Sequence, residues 1–183
     1  MKFKSIILHF HLINKHRFKV FKLSIKAGIP FRGLVHDLSK YSIEEFFESV
    51  KYYNGKESPL ALAKKNKGYS KAWLHHKGRN KHHPIYWYDP SASEKTPVIP
   101  YKYTVEMIID NLAAGMIYKG KDWTKEHQLS YYLEQRKHLK INPKIDKVLL
   151  EVFKKVSIEG INKVINPKVL KEIYRRNVSN SDK

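Results

Sequence analysis

The sequence predicts an all-α protein. Apolar residues recur at three- and four-residue steps through most of the chain, no segment alternates as a half-buried strand would, and the helix-like stretches have recognisable start and stop residues. The first runs from Phe3 to Ala27, with Leu8, Leu12, His16, Val20 and Leu23 on its apolar stripe, and ends at Gly28-Ile29-Pro30. Residues 31–38 resume a helical pattern. Ser42-Ile-Glu-Glu has the form of a capping box opening a helix through Tyr53, and Asn54-Gly55 signals a turn. Lys56–Tyr69 reads as loosely helical and basic, and Lys71–Lys77 as a turn or two of helix broken by Gly78 and then Pro84. Three prolines among serines and threonines make Asp89–Pro100 a loop. Thr104 is placed to cap a helix from Val105 to about Tyr118. Further helices are expected from near Thr124 to Leu139, over 143–157 and over 167–176, with a frayed polar tail after Arg176.

A length of 183 residues suits one domain, and 42% apolar content is enough for a core. With no cysteine, disulfides, thiolate metal sites and a cysteine nucleophile are excluded, so any transition metal must be held by histidine nitrogen and carboxylate oxygen. Thirty-six basic against 17 acidic residues give a net charge of +19, which favours an anionic ligand such as a nucleotide or nucleic acid without naming it. Residues 1–13 look superficially like a signal peptide, but His9 and His11 interrupt the short apolar run and Asn-Lys-His-Arg follows it. No stretch has the ~20 apolar residues of a membrane span. A cytoplasmic protein without membrane association is expected.

The chemistry concentrates in a few places. His36-Asp37 is followed by Leu-Ser-Lys40, and on a helix Lys40 would share the face of that pair. A buried His-Asp pair is costly unless a cation compensates it. His16 lies on an earlier apolar stripe. Asp110 lies on a later one, in Glu106-Met-Ile-Ile-Asp110. Each alone would pass for a hydrogen-bonded core residue; together, His, His-Asp and Asp on three helices form a metal-binding order. A second cluster places His75, His76, His82 and His83 within nine residues, around Gly78-Arg-Asn80. The bland alternative is a basic surface loop with solvated histidines. Trp73, Tyr86, Trp87 and Tyr88 read as core or rim aromatics.

The ligand order resembles that of the HD-domain phosphohydrolase superfamily. More narrowly, His16-Arg17, His36-Asp-Leu-Ser-Lys40-Tyr-Ser-Ile-Glu-Glu-Phe46, Ala72-Trp-Leu-His-His76, Asn80-Lys-His-His83 and Glu106-Met-Ile-Ile-Asp110 resemble DUF5662, an HD-like family of unknown function found in bacteria and phages. The resemblance, which runs from about residue 10 to 140, implies an HD-domain-like helical bundle with its metal-site core in that span; the chain reads as a single domain over residues 1–183, with packing helices over 141–176 and a polar tail over 177–183. The resemblance further implies one metal on His16, His36, Asp37 and Asp110. Asp37 would bridge to a second held by some of His76, His82 and His83, with His75 the expected bystander.

The expected activity is hydrolysis of a phosphate ester or phosphodiester, with a nucleotide as the substrate. One or two divalent ions (Fe, Mn, Zn, Ni or Co) would serve it, with Asp37, Lys40 and Asp110 in catalytic roles and Arg17 and Lys40 binding the anion. Glu44 and Glu45 read as a solvated helix start. Two alternatives share the residues: an HD-type di-iron oxygenase, and a basic nucleic-acid-binding protein with a structural metal site. For the latter, residues 51–81 are the best patch, with nine basic residues and Glu57 as the one acid. Oligomeric state is left open.

Overall fold

A computed structural model of the chain describes residues 3–179 and contains ten α-helices and no strand among them. α1 (Phe3–Lys26) buries His9, Ile13, His16, Val20 and Leu23. That face is rotated slightly from the predicted stripe, leaving Leu8 exposed and Leu12 half-buried. Gly28, at φ 74°, turns the chain in the left-handed region, and Pro30 opens α2 (Pro30–Val35).

α2 ends three residues before the expected position 38. His36 is extended and Asp37 is left-handed at φ 54°, the one non-glycine with positive φ among the described residues. A 3₁₀ turn over Leu38–Tyr41 follows, in which Lys40 N–H donates to Asp37 O over 3.0 Å. The predicted α-helical face shared by His36, Asp37 and Lys40 therefore gives way to a chain break. Its tight turn returns Lys40 over Asp37.

Ser42 caps α3 (Ile43–Lys51) by accepting from Glu45 N–H, 3.3 Å. The capping box is only half made, since Ser42 N–H bonds Ser39 O instead of the Glu45 side chain. α4 (Pro59–Lys67) closes on left-handed Gly68. α5 (Lys71–Arg79) is capped by Ser70 and runs through Gly78, where a break was expected. α6 (Tyr101–Lys119) starts four residues earlier than expected. Pro100 is its N-cap, while Thr104 donates its hydroxyl to Ile99 O and Pro100 O from inside the first turn.

Residues 104–109 of α6 are buried without interruption, so this stretch of the helix is enclosed on all sides, and α1 and α2 pack against α6. α7 (His127–Gln135), α8 (Pro143–Glu159), α9 (Ile161–Val164) and α10 (Pro167–Ser179) complete the bundle. Val148, Leu149, Val152, Phe153 and Val156 of α8 join Ile108, Ile109 and Leu112 of α6 in one core. Each such side chain contributes about 1.5–3 kcal/mol by burial. The expected fray after Arg176 is helical as far as Ser179; residues 180–183, like Met1 and Lys2, lie outside the described residues. Among the described residues no helix is long and apolar enough to cross a membrane.

Candidate metal centre

Three parts of the chain meet at Asp110 of α6: α1 with His16, the break after α2 with His36 and Asp37, and the end of α5 with His76, His82 and His83 beyond it. His16, His36, Asp37 and Asp110 offer ligand atoms within 4.8 Å of one another, and so do Asp37, His76, His82 and His83. Asp37 belongs to both sets. Its Oδ2 lies 3.3 Å from His36 Nε2 and 3.9 Å from His16 Nε2; its Oδ1 lies 3.4 Å from His76 Nε2 and 3.5 Å from His82 Nε2. Asp110 Oδ1 stands 3.0 Å from His16 Nε2 and 3.5 Å from His36 Nε2.

These groups fit divalent cations. Two ligands at about 2.0–2.1 Å from one ion stand roughly 3–3.5 Å apart at tetrahedral angles, close to the spacing observed. Imidazole nitrogens also face each other, with 2.9 Å between His76 and His83 Nε2 and 3.4 Å between His16 and His36 Nε2. Asp37 Oδ1 and His82 Nε2 are buried without a hydrogen-bond partner. Such orphans are costly unless something binds them.

Behind the imidazoles stand two carboxylates. Glu106, fully buried on α6, faces His36 Nδ1 at 3.0 Å and His82 Nδ1 at 3.4 Å, and takes Arg32 Nε and Nη2 on its other oxygen. Glu45, buried on α3, faces His76 Nδ1 at 2.8 Å and His75 Nδ1 at 2.7 Å. An ionised carboxylate can only accept, so the Nδ1 atoms donate and the Nε2 lone pairs point inward. Burial opposes ionisation of Glu106, but the bonds from His36 and His82 outweigh it and bring its pKa down to about 2. Glu45 is lowered similarly, against burial, by His76 and His75.

The remaining titrations express the same crowding of charge. Burial opposes the charged forms of Asp37 and Asp110, but His36 and Lys40 at the first, and His16 and His36 at the second, hold both well below the usual carboxylate range. Burial also works against charge on His36, and Asp37, Asp110 and Glu106 outweigh it, raising its pKa well above the imidazole norm. His83 is held well below that norm by burial and by the neighbouring His82 and His76. Lys40 Nζ lies 2.6 Å from Asp37 Oδ2, and despite burial the Asp37 and Asp110 carboxylates keep it charged beyond the ordinary lysine range.

A cavity of about 700 Å³ opens beside the cluster, with His16, Lys40, His83 and Asp110 on its wall. Arg17, expected to bind substrate, is committed elsewhere. Its Nε and Nη2 donate to His36 O and Leu34 O at 2.8 and 2.7 Å, and its Nη1 to Tyr41 Oη, so it braces the break that carries His36. His75 lies outside both ligand sets, on Glu45. The sequence reading missed Glu106 as a site residue and took Glu45 for a solvated residue. It also passed over His9, which is buried on the cavity wall with its pKa lowered to about 4 by burial and Lys40.

The chain matches the model of a family of unknown function, DUF5662, over residues 5–155. It belongs to that family. The matched span holds every residue of both ligand sets and both supporting glutamates; α10 lies beyond it. No curated protein and no solved structure matched the chain.

Proposed function

We propose that this DUF5662 member is a metal-dependent hydrolase of phosphate esters or phosphodiesters, organised as HD-domain enzymes are. The observation that carries this reading is Asp37, whose two oxygens turn to two different sets of histidines. A lone structural ion has no use for such a bridge, whereas two ions held side by side to act on one phosphoryl group would share it.

His16, His36 and Asp110 with Asp37 would hold one ion, and His76, His82 and His83 with Asp37 the other. Divalent ions there supply a water of lowered pKa and draw charge from the phosphoryl oxygens. The chain's own groups do the rest. Asp110, 18% exposed at the cavity wall, is placed to orient the attacking water. Lys40, on the same wall, offsets charge building on the non-bridging oxygens. Glu45 and Glu106 keep the imidazoles turned so that their Nε2 atoms face inward.

The test is elemental analysis of purified protein, wild type against His36→Ala/Asp37→Ala, together with hydrolysis of bis(p-nitrophenyl) phosphate and p-nitrophenyl phosphate. Stoichiometric Fe, Mn, Zn, Ni or Co that is lost in the double variant, with activity lost alongside it, supports the proposal. A folded wild type that takes up no ion even on reconstitution sinks it. Metal-dependent oxygen consumption without hydrolysis would move the reading to an oxygenase.

A further inference from the structure

Outside the ion cluster, the surface of α4 and α5 carries an unbalanced charge. Residues 51–81 hold nine lysines and arginines and a single acid. Lys67 is paired with Glu48, but Lys64, Lys65, Lys71, Lys77 and Arg79 have no ion pair among the described residues. Four of these are exposed and Lys77 is partly so. Surface that simply needs to be soluble mixes both signs; this one does not.

Trp73 links that surface to the ion cluster. Its ring lies 5.2 Å from His83 and 6.0 Å from His76, and Lys64 Nζ stands 4.3 Å from its centroid. Trp73 and Lys64 line the same cavity as Lys40, with Lys140 a further cation on its wall. The Lys64 ammonium, partly desolvated where it lies over the Trp73 ring and then repelled by Lys77, is held below the usual lysine range. A line of cations thus leads from Lys40 inside the cavity through Lys64 to Lys77 outside it.

We propose that this face is the track of a single-stranded nucleic acid, with phosphates along the lysines of α4 and α5, a base against Trp73 and the scissile phosphodiester at Lys40. The chemistry at Lys40 rests on the function proposed above; the binding does not. A mononucleotide would leave Lys65, Lys71, Lys77 and Arg79 without a purpose. A duplex cannot lower one phosphodiester into a cavity of about 700 Å³. Stacking on an aromatic ring flanked by cations is how single strands are held without regard to sequence.

The experiment measures fluorescence anisotropy of a labelled 12-nucleotide single strand on the full chain, in chelator so that no hydrolysis intervenes. Affinity should fall with salt, with a log–log slope of about −0.7 per phosphate contacted. Lys65→Ala/Lys77→Ala should flatten that slope by roughly 1.4. Trp73→Ala should weaken binding by about tenfold or more with the slope unchanged, and Trp73→Phe should retain most of the affinity. Should Trp73→Ala misfold by circular dichroism, the lysine pair and Trp73→Phe carry the test. Absence of binding at low salt overturns the proposal, as does displacement of the strand equally well by heparin or a duplex. Hydrolysis of bis(p-nitrophenyl) phosphate without oligonucleotide binding overturns this inference and spares the proposed function. Tight, Trp73-dependent binding with no hydrolysis by metal-loaded protein does the reverse.

Discussion

Replacing Glu106 by Gln tests the centre without touching a proposed ligand. The substitution keeps volume and shape, but one carboxylate oxygen becomes an NH₂ donor. If that donor faces His36, the Nδ1 must accept, the proton moves to Nε2, and the lone pair meant for the ion is lost. If it faces Arg32 instead, two donors confront the Nε and Nη2 hydrogens that now share Oε2 at 2.8 and 2.7 Å. Either way the buried negative charge that holds His36 and Arg32 is lost, at about 3 kcal/mol for breaking a buried charged network. At roughly 2–4 °C per kcal/mol for a chain of this size, the metal-free protein should melt about 6–12 °C lower. Loss of an orienting carboxylate lowers metal affinity about 10–100-fold. Competition titration of Zn²⁺ or Mn²⁺ against a chromophoric chelator reads the affinity, and calorimetry reads the melting temperature. A folded Glu106→Gln protein that binds metal as tightly as wild type would refute the argument that this carboxylate fixes the imidazole.

Four more outcomes are expected. Glu45→Gln should reduce metal stoichiometry from two ions toward one, because Glu45 faces His76 and none of the other ligands in the two sets; elemental analysis of the dialysed variant decides it. Chelation should lower the melting temperature by roughly 5–10 °C, the effect of an ion at about a hundred times its Kd, and adding the ion back should restore it. Gly33→Ala should destabilise by about 1–3 kcal/mol in urea, because its methyl would lie 2.5 Å from Ser24 Cβ and 3.1 Å from the Phe21 backbone where α2 crosses α1. Asp146 on α8 accepts from Tyr132 and is paired with Arg136; burial raises its pKa, but these partners bring it below the usual range. Its contribution is therefore full above the unfolded pKa of about 3.9 and fades as pH falls through the lower folded value. The stability gap between wild type and Asp146→Asn should be widest near pH 6 and close in acid, as followed by urea melts.

Much of this fold announces itself in the sequence because it is periodic. His16, Val20 and Leu23 on the α1 stripe, the Ser42 cap and the start of α8 at residue 143 are local signals, and the structure realises each of them. What escapes is what happens at single residues. The end of α2 at Val35 depends on Asp37 taking a left-handed conformation, which leaves no trace in apolar spacing. Glu45 was hidden by its own plausibility: Ser-x-x-Glu reads as a capping box, yet the side chain turns away from Ser42 to two histidines that lie 30 residues further on. Arg17 misled for the opposite reason. Adjacent residues on a helix diverge by about 100°, so Arg17 cannot share the inward direction of His16 and instead holds the backbone of residues 34 and 36.

The two ligand sets are built to different strengths, and that inequality follows from where their residues sit. His16 and Asp110 stand mid-helix on α1 and α6, the two longest helices described, and His36 is clamped between Glu106 behind and Asp110 in front. His76, His82 and His83 depend on a nine-residue helix and the turn after it. That turn is fixed by Asn80, whose side chain donates to His76 O and to Ser39 Oγ, each over 2.8 Å. α5 is tied to α3 through Glu45 and through Glu48, which accepts from Ser70 Oγ and Ala72 N. A short helix held by polar bonds opens at lower free energy than one enclosed by the core. In chelated protein the amides of α5 should therefore exchange hydrogen well before those of α6. The ion on the His76 set should be the weaker and more exchangeable of the two, which places the adaptable half of the centre next to Trp73 and the cavity through which a substrate would arrive.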